Sequence, residues 1–315
     1  MPRIELPTSL GDAFSVAHAR SAGVGEGRLR GSDLERRFHG ARLRVAPADG
    51  RLTPWERERA ELQESIAAYL PVMPAGAWFT GPTAAALWGL PLPLGLTGDL
   101  HVAVAYPRTP PRRLGVRGTR VVPGMAGVVD RGGVPVADPA TTWAALGGML
   151  LPYDLVAVAD AMLRVPRHPG GYRPARERPL ATRDELAAAL IAGRRRGAAD
   201  LRRALTRART GAASRPESWT RLILVDAGLP EPDLDVDVVG EHGEFLGCLD
   251  LAYPRHRVGI EYEGDGHLTR PQLERDIDKY AALGAAGWQI IRLTSHLVFR
   301  VPNEAVRRVR AALER

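Results

Sequence analysis

Three acidic side chains in the last third of the chain have the types and spacing of a metal site. Glu261 and Glu263 alternate along one predicted strand, so they share a face and stand roughly 6.5–7 Å apart. Asp250 lies on the preceding predicted strand, and antiparallel pairing across the turn at Pro254 can bring it beside Glu261. Close carboxylates repel unless they are solvated, protonated or bridged by a cation. Mg2+ (or Mn2+) fits this set because it binds few protein carboxylates and keeps its waters; a polar outer strand face is the alternative.

Three residues near these acids could accept a proton from a bound water. Glu263 could do so, or could simply extend the metal site. A glycine turn, Gly264-Asp265-Gly266, delivers His267 to the end of the acidic strand, and histidine changes charge near neutral pH. Lys279, the only lysine, falls three residues after Asp276 on one side of a predicted helix, where the two could pair at the surface. We favour His267, whose alternative role is that of a turn residue.

The elements that must position these residues are predicted from helix caps and strand alternation. Ser214 can cap a helix with Pro216 in its first turn, and Glu217 can reach back as the third residue of a capping box. Three strands, a helix, a strand and a helix follow, and a strand reached through a helix implies a mixed sheet. The strands are predicted at 234–238, 245–253, 258–263 and 288–293, the last helix at 303–313, and a helical stripe at Leu273, Ile277, Tyr280 and Gly284.

Five segments of this region, "SRPES", "LDLAYP", "GIEYEGDGH", "ERDIDKY" and "GWQIIRLT", carry a family resemblance. In this order they resemble a bacterial domain family of unknown function that is related to the very-short-patch-repair endonucleases, within the PD-(D/E)XK nuclease superfamily. The resemblance implies a restriction-endonuclease-like α/β domain at 214–315. It makes Glu217 the helix acid, Asp250 and Glu261 the metal ligands, and His267 and Asp276 polar residues at the rim.

The sequence departs from that pattern at two positions. The lysine of the superfamily would fall at Glu263, although the related family usually carries an acid there. That family often has a polar residue where this chain has Gly266. These departures leave open a DNA-binding regulator with a catalytically silent nuclease fold.

The reaction that the resemblance implies is metal-dependent hydrolysis of a DNA phosphodiester. Mg2+ (or Mn2+) on Asp250 and Glu261 would polarise a phosphate oxygen and lower the pKa of a bound water. Glu217 would orient a water, and His267 or Glu263 would take its proton. The arginines expected to contact DNA phosphates are Arg194, Arg195, Arg196, Arg270, Arg275 and Arg292.

The positive charge of the chain is concentrated in one block. The net charge is +7, yet the block from Arg164 to Arg209 holds 13 arginines and four acidic residues, a net +9. The remainder of the chain is therefore slightly acidic. Such a block suits a polyanion, most simply DNA, or else is a solvated connector, and we expect a basic linker at 197–213.

Cysteine content and hydropathy indicate the cellular compartment and whether the chain enters a membrane. The single cysteine, Cys248, cannot form an internal disulfide, which favours a reducing cytoplasm. The start of the chain has no apolar run behind a basic cluster. An uncharged stretch at 65–98 contains five prolines, which argue against a membrane helix, so we expect no membrane partner.

The first 70 residues suggest a winged-helix-like head. Short helices are predicted around Val16, at Glu26–Arg30 and at Leu34 with Phe38, followed by a strand at Ala41–Val45. Ala19, Gly23 and Leu29 fall where a helix-turn-helix needs a small residue, a turn glycine and a buried apolar residue. A small helical bundle without DNA contacts is the alternative.

The middle region, 71–196, is predicted to be an α+β domain. Its Asp160 lies on a mostly apolar helix, which is typical of a paired core acid rather than a catalyst. The segments "FTGPTAAALWGLPLP", "LHVAVAYP", "GVPVADPATTWAAL" and "DLVAVADAML" resemble the AbiEi-type antitoxin family of type IV toxin–antitoxin systems. With the head, this resemblance covers about residues 10–195, and it implies DNA binding, a possible cognate toxin or other protein partner, and no enzymatic residues. The whole chain is thus predicted to be an α/β multidomain protein.

Overall fold

The protein is a mixed α/β chain that divides into two compact units. A computed structural model describes residues 5–45, 52–170, 178–264 and 270–315. Unit 1 is Met1–Leu146 and unit 2 is Gly147–Arg315. None of the helices in the described residues combines the length and apolarity that crossing a bilayer requires.

Unit 1 contains a three-stranded and a six-stranded sheet. The elements are β1 (Ala13–Ser15), α1 (Val16–Ser21), β2 (Leu34–Glu35), β3 (Ala41–Arg44), α2 (Pro54–Tyr69), β4 (Ala77–Phe79), α3 (Gly81–Leu87), β5 (Leu100–Ala105), β6 (Arg112–Arg113), β7 (Val116–Val121), β8 (Val128–Asp130), β9 (Pro135–Ala137) and α4 (Pro139–Ala145). The small sheet has the order β1-β3-β2, and both of its pairs are antiparallel. The large sheet has the order β6-β7-β5-β4-β9-β8.

The first 45 residues follow the sequence analysis in part. Ala19 and Leu29 are fully buried, and Gly23 adopts a left-handed φ of 81° just after α1. The helix predicted at Leu34 and Phe38 is wrong, because Leu34 instead pairs with Arg44 in the small sheet. The winged helix-turn-helix itself stays a prediction.

One apolar core spans the boundary that the sequence suggested at residue 70. It includes Phe38 and Leu43 from the first 45 residues and Phe79, Val102 and Val136 from the large sheet. Because these side chains pack together, the head and the middle region expected from the sequence form one body up to Leu146.

Unit 2 is built around a four-stranded mixed sheet. The elements are α5 (Pro152–Leu163), α6 (Arg183–Ile191), α7 (Ala198–Arg207), α8 (Arg215–Asp226), β10 (Asp233–Val239), β11 (Phe245–Tyr253), β12 (Val258–Glu263), α9 (Arg270–Ala285), β13 (Gln289–Thr294), α10 (Ser295–Phe299) and α11 (Pro302–Leu313). The order is β10-β11-β12-β13, with the first two pairs antiparallel and the last pair parallel, so the predicted mixed sheet is confirmed. Helix α10 was not expected.

The two faces of this sheet are covered by different helices. Leu251, Ile260 and Leu293 pack with side chains of α8, α10 and α11. On the opposite face, Ala252 and Ile290 pack with Leu283 of α9. The strand residues that alternate with Ile260 therefore face α9.

The segment expected to be a basic linker, 197–213, is instead largely the packed helix α7. Leu201 and Ala204 of α7 are buried, and the helix packs against α5. An amphipathic helix buries such an apolar face, so this segment is part of unit 2 rather than a free connector. Several arginines of the basic block also pair within the unit: Arg167 with Asp237 at 2.7 Å, Arg207 with Asp226 at 2.6 Å and Arg209 with Glu231 at 3.1 Å.

Asp160 confirms the expectation of a paired core acid. Its carboxylate is fully buried in α5 and accepts hydrogen bonds from Arg221 Nη2 at 3.0 Å and Ser218 Oγ at 2.7 Å, both on α8. The backbone N–H of Arg209 donates to it at 2.6 Å. Arg221 also donates to Glu231 at 2.8 Å. Asp160, Ser218 and Arg221 are all buried, so this network joins α5 to α8 in the interior of the unit.

We predict that Asp160→Ala strongly destabilises unit 2. The change removes the acceptor of Ser218, Arg221 and the backbone N–H of Arg209, and breaking a buried pair by removing one partner costs about 3–5 kcal/mol. Urea denaturation followed by circular dichroism measures the loss in the free energy of unfolding. Asp200→Ala, which removes an exposed pair with Arg203, is the matched control and should cost little. Equal stability of Asp160→Ala and the unmodified protein would refute the role of the network.

Candidate active site

The structure places Asp250 and Glu261 side by side at the end of a hairpin. Leu251 pairs with Ile260 in the antiparallel ladder, so the next residues outward are Asp250 on β11 and Glu261 on β12. The strands part here, and the backbone N–H of Tyr262 donates to Asp250 Oδ2 at 2.9 Å. The charge of Asp250 acts on Glu261, so the two carboxylates belong to one cluster.

Glu217 approaches the same carboxylates from the start of α8. Ser214 caps this helix by accepting a hydrogen bond from the N–H of Glu217 at 3.4 Å. The Glu217 side chain accepts from the N–H of Ala213 at 2.6 Å, one residue before the position that a capping box predicts. Glu217 is 8% exposed, and it interacts electrostatically with Asp250. It therefore caps the helix and also belongs to the acidic cluster.

Lys279 is the residue whose role the sequence analysis missed. Its Nζ lies 2.9 Å from both carboxylate oxygens of Glu261, so it pairs with the site rather than with Asp276. The aliphatic stem of Lys279 crosses β11 at Gly247, where an added Cβ would stand 2.9 Å from Lys279 Cγ. The glycine thus allows the lysine to reach the carboxylates. A sole lysine four residues before a helix position that packs on the sheet, Leu283, was the signal that could have found it.

The stripe expected on α9 is only partly buried. Leu273 and Ile277 are 47% and 58% exposed, whereas Leu283 is fully buried. The buried side of α9 therefore lies toward Lys279, Tyr280 and Leu283. This rotation of the helix is what turns the lysine toward Glu261.

The three clustered carboxylates hold more negative charge than their surroundings balance. Burial, followed by the charge of Asp250, raises the pKa of Glu217 to about 7 and that of Glu261 to about 7. Burial also raises the pKa of Asp250, although the N–H of Tyr262 and the charge of Lys279 oppose this. The charges of Lys279 and Arg164 oppose this rise only in part, and a divalent cation would supply further positive charge.

This donor set fits Mg2+ better than a metal that requires a closed protein cage. Among the described residues, no three His, Cys, Asp or Glu side chains are placed to hold a metal ion. Mg2+ is bound through one or two carboxylates and retains several waters, so Asp250 and Glu261 would suffice as its protein ligands.

Glu263 and His267 stand apart from this cluster in different ways. Glu263 Oε1 accepts hydrogen bonds from Tyr280 Oη at 2.9 Å and from Arg292 Nε at 2.6 Å. These bonds, led by that from Arg292, lower the pKa of Glu263, so it is a weak proton acceptor. His267 lies outside the described residues. Asp276 is half-buried and interacts electrostatically with Arg292 at the edge of the site.

The arginines expected to bind DNA are mostly at the surface. Arg292 is partly engaged, because it pairs with Glu263 and stacks 5.2 Å from the centre of the Tyr280 ring. Arg195 donates to the carbonyl of Ala189 at 3.0 Å. The remaining candidates are exposed: Arg194, Arg196, Arg270, which lies 3.5 Å from Glu274, and Arg275.

The known proteins to which the chain is similar are themselves uncharacterized. No family model matches it. It is similar to two uncharacterized proteins of Mycobacterium tuberculosis, one from strain CDC 1551 / Oshkosh and one from strain H37Rv, each 34% identical over 122 residues. The match covers 38% of this chain and 45% of each relative. The chain thus spans less than half the length of the relatives it matches.

We predict that Glu217→Gln stabilises the metal-free protein at pH 8. The folded-state pKa of Glu217 is about 7, above the usual 4.5, so folding stability falls as the pH rises from about 4.5 to 7. Glutamine has no charge to lose and can still accept from Ala213, so the variant should gain up to about 3 kcal/mol at pH 8.

Thermal or urea unfolding with EDTA at pH 5 and pH 8 measures this effect. At pH 5 the carboxyl group is largely protonated, so the gain should shrink. Glu314→Gln, at an exposed acid of the C-terminal end, is the control and should change little at either pH. A variant less stable than the unmodified protein at pH 8 would argue against crowding of the three acids.

Proposed function

We propose that the protein is a metal-dependent DNA endonuclease and that unit 2 carries its active site. The observation that supports this most directly is the convergence of Glu217, Asp250, Glu261 and Lys279 from three separate parts of the unit. Two strand acids can hold a metal that polarises a phosphate oxygen and acidifies a bound water, and a third acid and a lysine beside them can orient that water and a ligand. The sequence resemblance to a domain family related to the very-short-patch-repair endonucleases points to the same chemistry.

Each residue of the proposed site would have a distinct role. Asp250 and Glu261 would hold Mg2+ or Mn2+, which when bound polarises a phosphate oxygen and acidifies a bound water. Glu217, whose pKa lies near neutrality, would orient the attacking water. Lys279 holds both oxygens of Glu261 and so fixes the orientation of that ligand. His267 is the proposed proton acceptor, while exposed arginines such as Arg270 and Arg275 would contact phosphates.

A second candidate function is DNA binding by a catalytically silent nuclease fold. The observation that favours it is the ion pair of Lys279 with Glu261, in which an ammonium occupies both oxygens of a proposed metal ligand. The antitoxin-like role of the N-terminal part, with DNA or a toxin as its partner, stays a prediction of the sequence resemblance.

Nicking of supercoiled plasmid DNA separates the two candidates. We expect the full chain to nick plasmid with Mg2+ or Mn2+ and to stop when EDTA is added. Asp250→Asn and Glu261→Gln should lower nicking at least about 100-fold, because each removes a metal ligand without changing side-chain size. Arg255→Gln, at an exposed position of the hairpin turn, should nick normally. Binding without nicking by the unmodified protein would favour the silent fold.

The proton acceptor can be identified by a second pair of variants. We expect His267→Ala to lower nicking about 100-fold, within the range of a general base, while plasmid binding persists. Lys279→Met is the companion variant, and both are measured from pH 6 to 9. Proton transfer would be assigned to the lysine if His267→Ala nicks at a near-normal rate while Lys279→Met loses nicking across this pH range.

A further inference from the structure

Arg164 is a cation directly after α5. It is half-buried, and within the described parts of the chain it forms no hydrogen bond or ion pair. Among those same residues, its buried Nε has no hydrogen-bond partner. A buried donor without an acceptor is destabilising, so such an atom calls for a group that supplies the acceptor.

The chain around Arg164 is anchored beside the acidic cluster. On one side, Thr210 Oγ1 donates to the carbonyl of Leu163 at 3.0 Å, and the chain from Thr210 leads directly to Ala213, which bonds Glu217. On the other side, Arg167 Nε pairs with Asp235 at 2.5 Å. Arg164 therefore lies on a segment fixed at both ends near the acids.

The partner of Arg167 also borders the proposed metal ligands. Leu234 pairs with Leu251 and Val236 with Leu249, so Asp235 stands opposite Asp250 on the neighbouring strand. The electrostatic neighbours agree with this placement. Burial and the charge of Asp250 raise the pKa of Glu217, whereas the charge of Arg164 opposes that rise. Arg164 is thus a positive charge at a site whose carboxylates would repel a phosphate.

We propose that Arg164 binds a non-bridging oxygen of the DNA phosphodiester at the carboxylate cluster and so positions it for cleavage. This inference rests on the proposed function. A guanidinium presents several N–H donors in a planar fork that matches two phosphate oxygens, and such an oxygen is an acceptor for the unpartnered Nε. Arg167 and Arg209, which lie near Arg164 in the structure of unit 2, already have carboxylate partners.

A salt series of DNA binding by the full chain tests the proposal. A fluorescent duplex is titrated in EDTA at increasing KCl with the unmodified protein, Arg164→Gln, Arg164→Lys and Arg255→Gln. Each lost phosphate contact lowers the slope of log affinity against log salt by about one, so Arg164→Gln should show that change and roughly tenfold weaker binding. Arg164→Lys keeps the charge and should retain the slope. Arg255→Gln removes an equal charge at the hairpin turn and should match the unmodified protein.

The outcomes separate this proposal from its rivals. Unchanged affinity and slope in Arg164→Gln would overturn it, as would an equal loss in Arg255→Gln, which would reveal only a net-charge effect. A second arm titrates inorganic phosphate and measures its binding to the same variants. If Arg164→Gln abolishes phosphate binding without changing DNA binding, the ligand of Arg164 is a free anion instead. If the unmodified protein binds DNA but never nicks it, the endonuclease proposal fails while the binding result for Arg164 stands. Thermal melts in EDTA confirm that each variant is folded.

Discussion

The buried ion pair between Asp160 and Arg221 is the constraint on which the rest of unit 2 depends. Both side chains are almost fully withdrawn from water, so each needs several polar partners at fixed positions. Asp160 has Ser218 and the N–H of Arg209, and Arg221 has Glu231. These bonds hold α5, α8 and the chain at Arg209 in fixed relative positions. They therefore help to explain why α5 and α7 belong to the same compact unit as the sheet that follows them.

That framework is what permits three carboxylates to remain close together. Helix α8 presents Glu217, the β11–β12 hairpin presents Asp250 and Glu261, and α9 presents Lys279. Burial and, after it, the charge of Asp250 raise the pKa of Glu217 and of Glu261, so holding all three acids ionised is unfavourable. A rigid scaffold can hold such an unfavourable group in place, and the stability it gives up is typical of sites that bind a charged ligand.

Local patterns in the sequence carried most of the secondary structure of unit 2. Alternation located β11 and β12, and the cap at Ser214 located α8, because these signals act within a few residues. Contacts made by tertiary packing were beyond such patterns. The rotation of α9 that directs Lys279 to Glu261 depends on which face meets the sheet, and the pairing of Leu34 in a strand depends on a partner ten residues away. The composition of the basic block likewise could not predict which of its arginines form ion pairs within the unit.

The close contact between Lys279 and Gly247 should link the residues that homologous chains carry at these two positions. Any side chain at position 247 would collide with the lysine stem, while a shorter residue at position 279 would no longer need the gap. The two positions should therefore drift together among homologous chains. A lineage that acquires alanine or a larger residue on the strand is expected to have lost the helix lysine, and a lineage that keeps the lysine is expected to keep the glycine.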